Sequence, residues 1–393
     1  MTFELGINYW PKRTAMWMWR EFDIAEVRDD MAHIAAMGFD VVRMFALTED
    51  FLTGPRTVDT KNVNRLVEVA RAVKDAGLKI NPTLIVINMS GRMWWPDWML
   101  DAQGQPGDLF ADPSMLRSQA LLVETCAAAL AGDDSIRAFD VSNEIDDAQR
   151  PPSSDAGWLW AAVMANAIRR VAPGVPVQIG VHQESLSTSN NMRIDDMASV
   201  ADEDLMHAYP LYSHVARSFL DPELVPFSCA LTAGLAGTGR APLMQEFGLC
   251  TAPQGAVGRT ITDDFLGSPR SQYLASEHDA ATYYEAVLDG LVKTGAAGAY
   301  AWSYGDYDAR LFDREPLSSA VRERTFGLVR ADGSEKPAAA VFRQFRIRRD
   351  EDRLVGLGSD VPRVLDVSAD EYYEDPSAHF ARLYGIWLSR ARA

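Results

Sequence analysis

Short apolar segments alternate with amphipathic segments along most of the chain. Eight of the short segments are rich in β-branched residues and apolar at nearly every position, a pattern typical of parallel strands that are buried on both faces. The longer segments repeat apolar residues at helical spacing, as at Val63, Leu66, Ala70 and Val73. The pattern predicts strands at residues 5–9, 40–46, 78–87, 136–141, 175–181, 205–209, 242–247 and 297–302.

Eight strand–helix units favour a (β/α)8 TIM barrel of the α/β class over an open doubly wound sheet. Glycines such as Gly38 and Gly77 lie just before predicted strands, where a helix is expected to end in the left-handed conformation. The first strand–helix turn, residues 8–11, reads NYWP, whereas a dinucleotide-binding fold would carry GxGxxG. We predict a catalytic barrel at residues 1–346 and a C-terminal helical appendage, residues 347–393, packed on it.

The charge of the chain limits its partners. Among 393 residues, 55 are acidic and 38 are basic, which gives a formal net charge of −17. Such a field repels polyanions, so we expect neither nucleic acid nor a membrane surface as a partner. A neutral or cationic small ligand is compatible with it, and the sequence leaves the oligomeric state open.

Neither a targeting segment nor a disulfide framework is indicated. The N-terminal sequence MTFELGINYWP lacks the basic and long apolar regions of a secretion signal, and no apolar run approaches the length of a membrane span. The cysteines Cys126, Cys229 and Cys250 lie far apart, without a CxxC motif or a Cys/His cluster. We predict a cytoplasmic protein without structural zinc.

The candidate chemistry lies where the predicted strands end, because barrel enzymes carry their catalytic groups at the C-terminal ends of strands. Glu144 follows the fourth predicted strand and Glu246 ends the seventh, and these strands lie nearly opposite each other in an eight-stranded ring. The other polar or aromatic side chains at strand ends are Arg43, Asn143, His207, Tyr209 and Trp302.

Two carboxyl groups that face one cleft are what cleavage of a glycosidic bond requires. One must be protonated to release the leaving oxygen, and the other must be ionised to attack or to activate water. Arg43 and Tyr209 are placed to favour the charged form of one carboxylate. The second carboxyl, near that anion, is then expected to have a raised pKa. A single strand-end glutamate could equally form a structural salt bridge, but the pair favours catalysis.

Two sequence motifs resemble the Asn-Glu and Glu-Phe-Gly signatures of clan A glycoside hydrolases. IRAFDVSNE ends at Glu144, and APLMQEFG contains Glu246. Together with VVRMF, HAYP, GAYAWSYGD and FGLVRADGSEKPAA, in this order along residues 3–345, they make the chain most similar to glycoside hydrolase family 5. The resemblance implies a retaining mechanism with a covalent glycosyl-enzyme, and a carboxyl separation of about 5 to 5.5 Å. We predict no cofactor.

The resemblance also implies a role for each matching residue. Glu144 corresponds to the acid/base and Glu246 to the nucleophile. Asn143 would donate a hydrogen bond to the 2-hydroxyl of the sugar that is cleaved.

The remaining strand-end residues would shape the same subsite. Arg43 and Tyr209 would orient the nucleophile, His207 would line the subsite, and Trp302 would form the platform beneath the sugar. The chain departs from the family at the end of the third strand, where members often carry a histidine and this sequence has Asn88.

A long loop, residues 88–113, interrupts the regular pattern and is predicted to be a functional insertion. Trp94 and Trp95 in this loop could stack on sugar rings, since the CH-rich face of a pyranose suits an indole. They could equally hold the loop in place. We include both among the candidate substrate-binding residues.

A metal site is not predicted. Asp146 and Asp147 follow the acid/base, but no histidine accompanies them at the spacing of metal ligands. His182 and Glu184 follow the fifth strand, where substrate contacts occur, although a single histidine there is more often structural. A metal-dependent hydrolase is therefore the weaker alternative, as is a non-catalytic carbohydrate-binding barrel.

Within family 5, the GINYWP opening and the Trp-rich third loop are most similar to intracellular β-mannosidase-type enzymes. The resemblance implies a short β-mannoside, such as mannosyl-β-1,4-N-acetylglucosamine, as the small oligosaccharide substrate. An endo-β-mannanase, a β-glucosidase and a β-galactosidase of the same clan remain alternatives.

Overall fold

The structure is a computed structural model that describes residues 2–354 and 364–391. Eight parallel strands form its centre, one for each strand that the sequence predicts. They are β1 (Glu4–Asn8), β2 (Val41–Leu47), β3 (Lys79–Val86), β4 (Phe139–Asn143), β5 (Val177–Gln178), β6 (Leu205–His207), β7 (Leu243–Phe247) and β8 (Gly298–Ala301).

A helix follows each strand and packs on the outside of the sheet. Gly38 (φ 92°) and Gly77 (φ 77°) adopt the left-handed conformation expected at helix ends. The eight helices are α1 (Ile24–Met37), α2 (Thr60–Asp75), α3 (Pro113–Leu130), α4 (Ser154–Val171), α5 (Ile194–Val200), α6 (Leu224–Ala236), α7 (Glu277–Lys293) and α8 (Pro337–Asp350). The predicted (β/α)8 TIM barrel is confirmed.

The sheet is nearly closed. Its hydrogen-bonded order is β6-β7-β8-β1-β2-β3-β4-β5. The first strand of the chain, β1, therefore pairs with the last, β8. Between β5 and β6, Asp202 bridges the ladder: its amide donates to the Val177 carbonyl and its carboxylate accepts from the Val177 amide, both at 2.8 Å. The strand ends on one rim therefore surround a common mouth.

The fifth strand is much shorter than the predicted residues 175–181. Only Val177–Gln178 pairs with β4. Beyond it, the Gly180 amide donates to the Asp140 side chain at 3.0 Å, and the Gly180 carbonyl accepts from the Glu144 amide at 3.1 Å. The backbone leaves the regular hydrogen-bond ladder here because the buried Asp140 side chain, and not a backbone carbonyl of β4, accepts from the Gly180 amide.

The loops contain short helices, 3-10 turns and hairpins. Short helices span Thr48–Phe51, Ile145–Ala148 and Glu184–Ser187, and 3-10 turns span Ala15–Trp17, Asp97–Met99, Pro210–Tyr212, Ala309–Leu311 and Val321–Thr325. Two small hairpins pair Leu52–Gly54 with Thr57–Val58 and Asn88–Met89 with Arg92–Met93. A longer one, here named the β7 hairpin, pairs Arg259–Phe265 with Ser268–Leu274 between β7 and α7.

The C-terminal helices α9 (Ala369–Glu374) and α10 (Pro376–Ala391) lie against the barrel. Phe227 of α6 contacts the rings of Phe380 and Tyr384, at centroid distances of 5.3 and 4.9 Å. The predicted boundary between residues 346 and 347 falls inside α8, and residues 355–363 and 392–393 of the predicted appendage lie outside the described residues, as does residue 1.

The three cysteines are buried free thiols. Across residues 2–354 and 364–391, the helices are too short or too polar to cross a membrane.

Candidate active site

Strand register brings the predicted residues to one end of the barrel. Arg43 of β2 pairs with Asn8 of β1, and His207 of β6 pairs with Glu246 of β7. Asn143 ends β4 and Glu144 follows it directly. Because parallel strands end on the same rim, side chains from distant parts of the sequence meet there.

The carboxylate of Glu246 is held by two donors. Arg43 Nη1 forms an ion pair with Oε1, and the Tyr209 hydroxyl donates to Oε2 at 2.8 Å. Burial and the charge of Glu246 raise the pKa of Tyr209 well above its ordinary value, so the hydroxyl keeps the proton that it donates. Both carboxylate oxygens of Glu246 therefore have a donor within the protein.

Arg43 is completely buried and bonded to several acceptors. Its Nη2 lies 2.8 Å from Asp140 Oδ2 and 3.0 Å from Asn143 Oδ1, and its Nη1 lies 3.1 Å from Asn8 Oδ1. A guanidinium is always charged and presents several donors in a fixed geometry, which suits it to join carboxylates at the floor of a cavity. Asp140 lies in β4, three residues before Asn143, and was not among the predicted site residues.

Glu144 occupies a left-handed backbone conformation, with φ 44° and ψ 49°, at the junction of β4 and the helix Ile145–Ala148. A residue other than glycine pays a conformational cost in this region, and such residues are concentrated at functional sites. His207 Nδ1 lies 2.9 Å from Glu144 Oε1, and Asn88 Nδ2 donates to Oε2 at 3.4 Å. The backbone and both neighbours direct the carboxylate toward Glu246.

The pKa of Glu144 does not follow the expectation from sequence. Burial on its own would raise it, but the charges of His182 and His207 and the hydrogen bond from His207 lower it. Burial lowers the pKa of His207, yet the charges of Glu246 and Glu144 outweigh burial and raise it. The neighbouring anion was expected to raise the pKa of this carboxyl, but the two histidines lower it, and within the pair the raised pKa is that of His207.

The two glutamates are close to each other. One carboxylate oxygen of Glu144, one of Glu246 and a ring nitrogen of His207 all lie within 4.8 Å of one another. His207 Nδ1 is 3.6 Å from Glu246 Oε1. Both carboxylates can therefore reach the same atom of a bound molecule.

A cavity of about 320 Å³ opens above this pair. Of the predicted residues, it is lined by Asn88, Asn143, Glu144, Tyr209, Glu246 and Trp302. Arg43 and His207 are fully buried beneath it. The six lining residues and the two supporting ones come from β2, β4, β6, β7 and β8 and from the segment after β3.

Trp302 forms part of the wall next to Glu246. Its ring packs edge-on against Phe45 at 5.7 Å. Gly248, two residues after Glu246, lies where an added Cβ would be 2.2 Å from the Trp302 carbonyl oxygen. The glycine of the Glu-Phe-Gly motif is thus needed for the close approach of the two strand ends.

Trp94 and Trp95 are not brought to the cavity. Trp94 is fully buried, donates from its indole nitrogen to the Met89 carbonyl at 3.0 Å, and lies under the guanidinium of Arg92 at 4.2 Å. Trp95 is half-buried and packs on the hydrophobic core. Of the two interpretations open from sequence, the structure places these side chains as anchors of the loop.

One wall of the cavity, beside Glu144, is formed by Asp147, His182 and Glu184. No histidine lies at metal-ligand spacing from Asp147 in the sequence, but the fold brings ligand atoms of these three residues within 4.8 Å of one another. Asp147 Oδ2 accepts from Asn88 Nδ2 at 2.7 Å, and His182 Nδ1 accepts from the Glu184 amide at 3.3 Å. These two ligand atoms are thus engaged within the protein as part of a polar wall.

The opposite wall contains residues that sequence reasoning missed. Phe265, Leu266 and Arg270 of the β7 hairpin line it, together with Arg322 and Glu323 of the segment after β8. None of them ends a predicted strand, so the strand-end rule could not find them. Arg322 and Glu323 lie in a charged VRER stretch within a loop, which is the sequence signal for this part of the wall.

The fold and the paired carboxylates define a glycoside hydrolase. The model of Cellulase (glycosyl hydrolase family 5) matches residues 7–286. The chain therefore belongs to glycosyl hydrolase family 5, a clan A family, as the two motifs predicted. The comparison with curated proteins found no match.

Solved structures of similar proteins share the whole fold. GH5_18 from Streptomyces cattleya, in complex with Manβ1-4GlcNAc, is 22% identical with a TM-score of 0.80, over 98% of this chain and 92% of that chain. The exo-β-1,4-mannosidase Op5Man5 from Opitutaceae bacterium strain TAV5 is 25% identical with a TM-score of 0.74, over 90% of this chain and 60% of that one. GH5_18 from Bifidobacterium longum is 15% identical with a TM-score of 0.75, over 88% and 79%.

Proposed function

We propose that this protein is a retaining β-mannosidase that releases mannose from short β-mannosides such as mannosyl-β-1,4-N-acetylglucosamine. The observation that carries the proposal is the approach of Glu144 to Glu246 within 4.8 Å in a cavity of about 320 Å³.

The short separation favours retention. Retaining enzymes hold their carboxyl groups about 5 to 5.5 Å apart, whereas inverting enzymes need about 6.5 to 9.5 Å to admit a water molecule. One carboxylate oxygen of Glu144 and one of Glu246 lie within 4.8 Å of each other, a separation closer to that of retaining enzymes than to that of inverting ones.

The contacts of each glutamate support its role. Glu246, held by Arg43 and Tyr209, attacks the anomeric carbon while the bond to the leaving oxygen breaks. Glu144 gives that oxygen a proton, which the His207–Glu144 pair holds in the free protein. In the second step Glu144 takes a proton from water, and the water displaces Glu246 from the anomeric carbon.

Other cavity residues position the sugar. Asn143 Oδ1 accepts from Arg43 and its Nδ2 donates to the Asn88 carbonyl at 3.1 Å, so the amide is held at the edge of the reacting subsite. There it would meet the 2-hydroxyl of the sugar. Trp302 would supply the apolar face on which the ring rests.

The size of the cavity and the relatives support a short mannoside. A volume of about 320 Å³ lies at the small end of ligand pockets, about 300 to 1,000 Å³, and does not suit an open polysaccharide groove. Of the similar structures, one holds Manβ1-4GlcNAc and another is an exo-β-1,4-mannosidase. We extend both features to this chain.

The experiment is a substrate panel with a stereochemical readout. Mannosyl-β-1,4-N-acetylglucosamine, β-1,4-mannotetraose and the p-nitrophenyl β-glycosides of mannose, glucose and galactose are incubated with the wild-type protein and with Glu246→Ala. Proton NMR follows the anomeric signal of the first product. We expect the highest kcat/KM on the β-mannosides and β-mannose as the first product.

Each alternative gives a different result. Preference for the glucoside or galactoside would replace the sugar assignment, and rapid internal cleavage of mannotetraose would indicate an endo-β-mannanase. First release of the α-anomer would contradict retention. Absence of any turnover, with saccharide binding retained in calorimetry, would favour a non-catalytic carbohydrate-binding barrel.

A further inference from the structure

The cavity contains a third buried carboxyl group that double displacement does not use. Glu323 lies in the 3-10 turn Val321–Thr325 after β8, is only 7% exposed, and lines the same cavity as Glu144 and Glu246. Burial of a carboxylate is costly unless it meets donors. Its carboxylate forms an ion pair with Arg322, whose Nε lies 3.2 Å from Oε1.

Glu323 faces the catalytic pair. Burial raises its pKa to about 7 against the lowering effect of Arg322, and the charges of Asp263, Glu246 and Glu144 add to the rise. His182 belongs to the cluster that it forms with Asp147 and Glu184 beside Glu144. The turn that carries Glu323 is held instead by Asp263 of the β7 hairpin. Glu323 and His182 therefore belong to different parts of the cavity wall.

The position of Glu323 is fixed by the β7 hairpin. Asp263 of that hairpin accepts from the Val321 amide at 2.6 Å, from the Arg322 amide at 3.1 Å and from Arg322 Nη1 at 2.9 Å. The Arg322 guanidinium also lies 4.0 Å from the centre of the Phe265 ring. A hairpin and a turn that are clamped in this way form a rigid support for the carboxylate between them.

The same hairpin extends over the cavity. Phe265, Leu266 and Arg270 near its tip line the wall on the Glu323 side. Glu246 lies in β7, which precedes the hairpin, and Trp302 directly follows β8, which precedes the turn. A sugar bound to the nucleophile lies beside Glu246 and Trp302, next to this wall, and its leaving group lies toward Glu144.

We propose that Glu323, clamped by Arg322 against the β7 hairpin, forms the end wall of the sugar subsite and accepts hydrogen bonds from hydroxyls of the terminal sugar. This inference rests on the proposed glycosidase function. A carboxylate can accept from two neighbouring hydroxyls, and a buried one discriminates strongly against a sugar that lacks them, because it is then left unpaired. The wall also excludes a further sugar on the non-reducing side, which makes the enzyme exo-acting.

The first experiment tests contact with hydroxyls. Glu323→Gln is compared with wild type and with Asp313→Asn, an exposed carboxylate of the same loop that does not line the cavity. The substrates are p-nitrophenyl β-mannoside and its 3-, 4- and 6-deoxy analogues. We expect Glu323→Gln to lower kcat/KM on the parent by about 10- to 100-fold, as for the loss of a charged hydrogen bond. Asp313→Asn should behave as wild type.

The deoxy analogues distinguish a direct hydrogen bond between Glu323 and a sugar hydroxyl from an indirect effect of the substitution on the site. Removing the hydroxyl that Glu323 binds should cost the wild type a large factor and cost Glu323→Gln much less. Equal losses for Glu323→Gln on every analogue, or wild-type kinetics on the parent, would overturn the inference and leave the glycosidase intact. Thermal midpoints of all three proteins show whether each is folded. A wild type inactive on every β-glycoside would overturn the proposed function and the inference together.

The second experiment tests the wall without any variant. The wild-type protein is incubated with p-nitrophenyl β-mannobioside, and the products are separated and quantified at successive times. We expect mannose to appear first and p-nitrophenol only after a lag. Direct release of mannobiose would show that a second sugar fits beyond Glu323 and would overturn the end wall.

Discussion

His207 and Glu144 share a buried hydrogen bond of 2.9 Å between Nδ1 and Oε1. The other ring nitrogen of His207 lies 3.1 Å from Gln245 Oε1. The amide nitrogen of Gln245 donates to Gln178 Oε1 at 3.1 Å, which leaves its oxygen as the acceptor toward His207. Both ring nitrogens therefore face acceptors, an arrangement that favours the doubly protonated, charged form of His207.

This arrangement predicts a pH effect for His207→Asn. The carboxylates raise the pKa of His207 above its ordinary value near 6.5, so the His207–Glu144 pair keeps its proton above that pH. In the variant Glu144 must hold the proton alone; its pKa rises without His207, but we expect it to stay below the pKa of His207 in the wild type. The basic limb of the kcat/KM profile should move to lower pH. His33→Asn, outside the cavity, is the control, and an unmoved basic limb in His207→Asn would contradict the shared proton.

The two glutamates should differ in their dependence on the leaving group. Glu144→Ala removes the acid, so kcat/KM on mannosyl-β-1,4-N-acetylglucosamine should fall by about 10²- to 10⁴-fold. The rate of the glycosylation step should fall much less for 2,4-dinitrophenyl β-mannoside, because its leaving group needs no proton. Glu246→Ala should lose activity on both substrates, because no nucleophile remains. If kcat/KM of the two variants depended equally on the leaving group, the assignment of Glu144 as acid/base and Glu246 as nucleophile would be contradicted.

Arg43 should be important for stability as well as for the site. It is fully buried between Asp140 and Glu246, and Arg43→Met leaves both carboxylates without their cation. The free energy of unfolding in urea should fall by about 3 to 5 kcal/mol. Arg170→Met, which removes an ion pair with Glu124 on the surface, should change it by at most about 1 kcal/mol. Similar values for the two variants would argue against a buried ion pair.

Glu323 should make stability depend on pH. Its pKa is about 7 in the folded protein and near 4.5 when unperturbed, so the native state binds the extra proton. The stabilisation is complete below pH 4.5 and is lost as the pH rises through 7. Glu323→Gln mimics the protonated form, so its stability relative to wild type should rise between pH 4.5 and 8 by on the order of 3 kcal/mol. Urea unfolding at both pH values measures this difference, and Asp313→Asn should show none.

The sequence by itself determined the barrel and the identity of the catalytic candidates. Each buried strand is a local run of apolar residues, and each helix is a local amphipathic repeat, so neighbouring residues suffice to predict them. Glu144 and Glu246 could be found because each follows or ends such a run, and barrel geometry directs strand ends to one mouth. The motif around each glutamate then indicated family 5, which the family model confirms.

Only the tertiary structure decided what surrounds that pair. The shortening of β5 depends on Asp140, and the burial of Trp94 depends on Arg92 and Met89. The end wall exists because Asp263 meets Arg322, 59 residues later in the chain. Such contacts join segments that carry no common local pattern. Their energies depend on burial and on distances between charges, and these quantities exist only once the chain is folded.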